Sequence, residues 1–317
     1  MTDDVAQRIA DGRNEWGRWG PDDQIGRANL LDDAHVLLTA TSCIRSGKRF
    51  SLALPVCSPG GDPCLPGRMQ AVHLMTQDES HYAAGRTEPL AGGMKFADDS
   101  ILLSCHGTTH LDALGHAYSG DQLYNGYPAD TTIGGLRKAG VDALARQGVV
   151  GRAVLVDLAR HAGVRDLGMS HHITVEAIKE SLAAQHTEVR RGDVLLLRTG
   201  IFQVFYDDGP EAFYRHFDEP GVTYEPGLIE FLCDNDIVGL GTDTLCNEQA
   251  HSAVVEADFP LHVALQRNLG ITFHEALWLE EWAADCDDDG IYDGFYVAAP
   301  IRVAQGTAGP MNPIVIK

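Results

Sequence analysis

The sequence predicts an α/β fold, a single domain built on a mixed, largely antiparallel sheet. Three observations predict it. Apolar runs of strand length recur, as in G-R-A-V-L-V-D-L (151–158) and D-V-L-L-L-R (193–198). Capped segments of helical periodicity lie between them, as in T-V-E-A-I-K-E-S-L-A-A-Q (174–185). The two kinds mix without a strict strand–helix repeat, and no internal sequence repeat is visible.

In chain order, residues 1–31 form an arm dense in Trp, Gly and Pro (W-G-R-W-G-P-D-D-Q-I-G-R-A-N-L-L, from Trp16), expected to wrap the surface or a neighbouring subunit. The main domain is expected over 32–317. Asp32 is placed to cap a helix running to about Ser46, with Ala34, Val36, Leu37, Ala40 and Ile44 on its apolar side. R-F-S-L-A-L-P-V (49–56) reads as a strand. Residues 57–98 form a long excursion with enough Met, His and Tyr to line a pocket. The run I-L-L-S (101–104) reads as a strand delivering His106. After the strand at 151–158, Thr174 caps a helix, and R-R-G-D-V-L-L-L-R-T-G (190–200) is a turn and a buried strand. E-P-G-L-I-E-F-L-C-D-N (225–235) is a short helix, and D-I-V-G-L-G-T-D-T (236–244) a strand opening into a loop. F-P-L-H-V-A-L-Q-R-N-L-G (259–270) is a helix ending at Gly270, and strands close the chain.

Composition narrows the function classes. The chain of 317 residues has 44% hydrophobic and 22% charged residues, ordinary for a globular protein. Its net charge of -21, with no basic run, disfavours nucleic acid and anionic membranes as partners. No apolar run suggests a membrane span, and the N-terminus lacks the pattern of a secretory signal. The seven cysteines are scattered without a C-x-x-C, so neither a disulfide framework nor a thiolate metal site is indicated, and a cytoplasmic location is expected.

The densest chemistry is H-G-T-T-H-L-D-A-L-G-H, residues 106–116. Divalent ions favour imidazole and carboxylate donors. His106, His110 and Asp112 supply three within seven residues. Gly107 and the two threonines argue for a tight loop rather than a helix, with Gly107 easing the turn. His116 is either a fourth ligand or a general base. Farther on, His262 and Glu275 flank a predicted helix and strand. If the fold brings them to Asp112, that carboxylate could bridge two ions. Asp243, His251 and His274 are equally available neighbours.

Other signals are weaker. D-C-D-D-D-G-I-Y-D (285–293) opens like a calcium loop, but the twelfth position is Tyr296 rather than Glu, so an acidic turn is expected. His171-His172 reads as a local cap or surface pair. No nucleophile elbow or phosphate loop occurs.

The 106–116 stretch resembles the H-x-G-T-H-x-D-x-x-x-H signature of the cyclase family of metal-dependent hydrolases, with kynurenine-formamidase-like and isatin-hydrolase-like members. Thr108-Thr109 stand at the signature's Gly-Thr pair. W-G-R-W-G-P-D-D-Q-I-G-R-A-N-L-L, L-H-V-A-L-Q-R-N-L-G-I-T-F-H-E-A-L-W-L-E and the terminal G-T-A-G-P-M-N-P-I-V-I are similar to further family segments. The resemblance implies a swivelling β/β/α-like fold and a homodimer or homotetramer with sites partly built at subunit contacts. It implies His106, His110 and Asp112 as metal ligands, His116 as the base, and His262 and Glu275 completing a second ion or its surroundings. The expected cofactor is zinc or manganese, one or two ions. The expected reaction is hydrolysis of an amide, cyclic or N-formyl, in a small aromatic or heterocyclic substrate. Trp16, Trp19 and the 57–98 excursion are candidates for the substrate wall. The rivals are a lyase or cyclase acting on a polyketide-like substrate, and a non-catalytic metal-binding protein.

Overall fold

The computed structural model describes residues 2–317, with side chains from Val5 onward. Nine strands form one sheet in the order Arg49–Ser51, Ile314–Ile316, Asp293–Ala298, Val149–Asp157, Val194–Arg198, Gly239–Thr242, Thr272–Glu275, His110–Asp112, Ala308–Pro310. The central pairs among Val149–Asp157, Val194–Arg198, Gly239–Thr242 and Thr272–Glu275 are parallel, and every outer pair is antiparallel. The mixed, mainly antiparallel sheet expected from the sequence is therefore present.

Strand periodicity sorts the core into two layers. Ala153, Leu155, Val194 and Leu196 face one side, where they meet Trp282, Ala283 and Cys286 of helix Glu280–Asp289. Val154, Val156, Leu195 and Leu197 face the other, against Ile178 and Leu182 of helix Val175–Ala184 and Leu228 and Leu232 of helix Pro226–Asp234. With both faces covered, Val149–Asp157 and Val194–Arg198 are apolar at most positions, which is why they were readable as continuous runs.

The N-terminal arm packs on its own chain. Gly26 and Gly270 touch backbone to backbone: a Cβ on Gly26 would lie 2.4 Å from the Gly270 carbonyl oxygen, and both have positive φ. Behind them Arg27 is fully buried, bonded to Glu15 and to the carbonyls of Leu232 and Ile237.

Several elements depart from the sequence reading. Helix Asp33–Cys43 is capped by Asp32 as expected, but its buried residues are Thr39 and Cys43, and Leu37 is 66% exposed. Its packing stripe runs through His35, which lies against Gly192 and Gly151, so Ala34, Leu37 and Ile44 of the expected apolar side face outward and only Val36 and Ala40 are partly buried. The 57–98 excursion contains strand Val72–Gln77, which pairs with Asp98–Leu102 as a separate hairpin. Ile101 and Leu102 thus lie on a strand, as expected, which belongs to this exposed hairpin and ends at Leu102. The acidic run from Asp285 is the last turn of helix Glu280–Asp289, closed by Gly290 in the left-handed conformation, rather than a turn. Lys317 Nζ occupies Asp289 at 2.6 Å and Asp285 at 2.9 Å.

Candidate metal centre

The ligand stretch is a turn followed by a strand. After Leu102, Gly107 N–H bonds back to the Ser104 carbonyl at 2.9 Å and His106 projects from that turn. Gly107 does not have a positive φ. A Cβ there would meet Ser104 at 3.1 Å, so glycine serves close packing, not the expected left-handed turn. Thr109 accepts from the Leu54 N–H and donates to the Ala276 carbonyl, which pins the next residue at the sheet. His110–Asp112 is a buried strand, and residues two apart on a strand share a face. His110 and Asp112 therefore point together, while Leu111 points into the opposite layer.

The neighbouring strand supplies the distal carboxylate. Glu275 is the direct antiparallel partner of His110, with Oε2 3.3 Å from His110 Nε2. His274, paired with Leu111, faces away. It is bonded to Thr272 Oγ1 and the Tyr296 hydroxyl, and burial pushes its pKa down to about 3. It is a satisfied core histidine. Asp243 accepts from Thr199 and Gly200, and His251 is a surface residue bonded to Asp258.

Second partners orient the imidazoles. His110 Nδ1 donates to the Thr108 carbonyl at 2.8 Å, which turns the Nε2 lone pair toward Asp112 and Glu275. His106 Nε2 is bonded to Thr307 Oγ1 at 3.0 Å, leaving Nδ1 2.9 Å from Asp112 Oδ1. His262 begins the π-helical segment His262–Arg267. Its Nδ1 is 2.5 Å from Glu248 Oε1, and its Nε2 lies 3.7 Å from both Asp112 Oδ2 and Glu275 Oε1. Glu248 and Thr307 escaped sequence reasoning. Each is an ordinary residue type in a loop, and the one available signal, for Glu248 alone, was the crowding of polar residues in T-D-T-L-C-N-E-Q-A-H (242–251).

The donor set fits a divalent cation. Asp112 Oδ1 is fully buried and accepts no hydrogen bond, although the ring nitrogens of His106 and His110 lie within 3.3 Å. A buried carboxylate oxygen so placed costs at least about 1–3 kcal/mol unless a cation meets it. His106, Asp112 and His116 form one set able to share an ion, and His110, Asp112 and Glu275 another. Asp112 belongs to both. His116 therefore sits within reach of a ligand role, its ring 4.1 Å from that of His106.

The field of the carboxylates is strong. Burial lowers the basicity of His110, yet the adjoining carboxylates of Asp112 and Glu275 raise its pKa to about 9. Burial likewise opposes the charge on His262, and Glu248 leads the groups that raise its pKa to about 9. His116 lacks such a partner, and burial lowers it to about 4. The surroundings that hold protons on two imidazoles are those a cation requires.

A cleft of about 420 Å³ opens onto the cluster, with His116 and His262 on its wall beside Leu65, Tyr118, Phe259 and Val263. Leu65 comes from the 57–98 excursion. Trp16 and Trp19 do not line this cleft. Trp16 donates its Nε1–H to the Arg267 carbonyl at 2.8 Å and stacks on that guanidinium, and both indoles pack against the core. Their apolar area is spent fastening the arm. Cys246 also lines the cleft, but burial pushes its thiol well above the usual range, so it offers no thiolate.

Several known proteins resemble this chain in sequence or fold. A solved structure of a novel cyclase shares 33% identity, with a TM-score of 0.87 over 96% of this chain and 100% of that one. An isatin hydrolase bound to the product analogue thioisatinate has the same fold at 20% identity, with a TM-score of 0.59 over 85% of this chain and 93% of the other. Isatin hydrolase of Roseibium aggregatum is 24% identical over 231 residues, 71% of this chain and 76% of that protein. The family described as "Putative cyclase" matches residues 25–249, so a buried His–Asp–Glu cluster on this sheet, carried by a chain with hydrolases among its relatives, belongs to a member of the cyclase family.

Proposed function

We propose that the protein is a metal-dependent hydrolase that cleaves an amide bond, cyclic or N-formyl, in a small aromatic or heterocyclic substrate. The observation that carries this reading is Asp112, buried, short of a hydrogen bond at Oδ1 and common to two ligand sets at the foot of a cleft. His106, His110, Asp112, His262 and Glu275 would hold one or two ions. Zinc or manganese suits these imidazole and carboxylate donors. A divalent ion there supplies Lewis acidity toward the amide carbonyl and toward water.

The chain's own residues do the rest. Thr108 and Glu248 fix the tautomers of His110 and His262, so that each presents its Nε2 to the carboxylates. Leu65, Tyr118, Phe259 and Val263 give a flat substrate an apolar seat and limit water. His116, uncharged at neutral pH and on the cleft wall, takes a proton from water at a ring nitrogen and returns it to the leaving nitrogen.

We also infer a homodimer or homotetramer, a separate role for arm 1–31 at its contact, and a cytoplasmic location. Exposed Val72, Leu74, Ile101 and Leu102 on the hairpin favour a covering partner, and the seven cysteines are all free. Among the described residues no helix is long and apolar enough to cross a membrane. The test is elemental analysis of the purified protein followed by turnover of N-formyl aromatics, isatins and cyclic imides in oxygen-18 water. Label in a carboxylate product supports hydrolysis, and an unlabelled product would favour a lyase or cyclase. No metal and no turnover would sink the reading.

A further inference from the structure

Arg68 lies on the wall of the same cleft, half-buried beside the apolar residues. Its Nη1 donates to the main-chain carbonyl of His106 at 2.7 Å, and among the described residues no carboxylate pairs with it. That is notable in a chain with 45 acidic against 24 basic residues. Arg198 and Arg152, also sequestered, are neutralised by Asp157 and Glu280 and by Asp193 and Asp293, and buried Arg267 is taken up by the carbonyls of Gln122 and Ala10 and by Asn268. Asp258, the acid on the cleft wall, is engaged by His251 at 2.7 Å instead.

The tether leaves a defined part of the guanidinium free. With Nη1 fixed on the His106 carbonyl, Nε and Nη2 form the edge that receives a carboxylate through two parallel hydrogen bonds. The carbonyl holding Nη1 belongs to a candidate metal ligand, so an anion on that edge is anchored close to the cluster. A cleft of about 420 Å³ takes a single ring system with small substituents. A solvated arginine merely bracing the 104–107 turn would need no place on the cleft wall.

We propose that Arg68 sets substrate specificity: the cleft takes an aromatic or heterocyclic amide that carries a carboxylate, and Arg68 binds that carboxylate. This rests on the hydrolase reading above. The apolar wall holds the ring, Arg68 fixes its orientation, and the amide is presented to the His106–Asp112 cluster.

The test compares metal-loaded wild type, Arg68→Met and Arg68→Lys on N-formylanthranilate and on N-formylaniline, which lacks the carboxylate. Metal content and anthranilate affinity are measured alongside. Wild type should favour the carboxylate substrate by about 10- to 100-fold in kcat/KM, the range of a charged hydrogen-bonded pair. Arg68→Met should lose that preference through KM and keep its rate on N-formylaniline, and Arg68→Lys should retain part of it. An unchanged preference in Arg68→Met, an equal loss on both substrates, or loss of the metal would overturn the proposal. Absence of turnover by wild type counts against the hydrolase reading alone. Anthranilate affinity then decides: weakening of about tenfold or more in Arg68→Met supports the assignment, and equal affinity overturns it.

Discussion

Glu248 grips His262 twice, accepting its backbone N–H at 2.7 Å and standing 2.5 Å from Nδ1 with the same Oε1. Its other oxygen takes the Leu261 N–H at 2.6 Å. One carboxylate thus closes the start of the 260–269 helix and fixes which nitrogen of His262 faces Asp112 and Glu275.

Glu248→Gln should therefore leave the fold intact and weaken the metal site. Glutamine keeps one acceptor oxygen but replaces the other with an NH₂, which opposes one of the N–H donors. Partners of this kind are worth about 10- to 100-fold in metal affinity. Competition against a chromogenic chelator measures it, with circular dichroism to verify folding. Wild-type affinity in the variant would show that His262 is oriented by other contacts or is no ligand.

His116→Ala separates base from ligand. As the base, His116 should be indispensable for turnover while metal stoichiometry stays at the wild-type value. Its ring lies 4.1 Å from that of His106 and within the His106–Asp112 ligand set, so the alternative outcome is concrete. A variant that loses an ion along with activity makes His116 a ligand.

The legible part of the site was the local part. His106, His110, Asp112 and His116 sit within eleven residues, so their crowding can be seen before any fold is known. Glu275 needed the pairing of Thr272–Glu275 with His110–Asp112, a fact of register rather than composition. Glu248 and Thr307 act through single hydrogen bonds from loops, which leave no periodic trace. The buried parallel strands were readable because both their faces are covered. The helix at 33–43 and the strand ending at Leu102 were legible as elements, but the helix's packing side was not, because an apolar residue does not announce which side of its element has a neighbour, and Leu37 is exposed.

Trp16→Ala tests whether the arm's indole serves the substrate or the fold. Its indole is bonded to the Arg267 carbonyl, stacked at 4.7 Å on that guanidinium and packed against the core. Trp16→Ala should cost about 2–4 kcal/mol of stability, toward the low side for removal of a large aromatic because the ring is half-buried. Urea unfolding measures the loss. At a temperature where the variant is folded, kcat/KM should stay within about twofold of wild type, a surface-like effect on a site it does not touch. A selective rise in KM would return Trp16 to the substrate.

Asp293 predicts how stability depends on pH. Arg152 Nε donates to its Oδ2 at 2.6 Å, and Arg45 lies 2.8 Å from Oδ1. Burial pushes this carboxyl up, but the hydrogen bonds and charges of Arg45 and Arg152 outweigh it and hold the pKa below the ordinary 3.8. A depressed acid contributes stability that is fully present above its unfolded pKa and lost as pH falls through its folded value. Asp293→Asn should therefore be less stable than wild type at neutral pH, by an amount that stays constant down to about pH 4 and shrinks below it. Paired urea titrations across that range measure the difference directly, which cancels the acid sensitivity common to both proteins. A deficit that persists undiminished well below the folded pKa would assign the loss to packing around Arg152 rather than to the charge on Asp293.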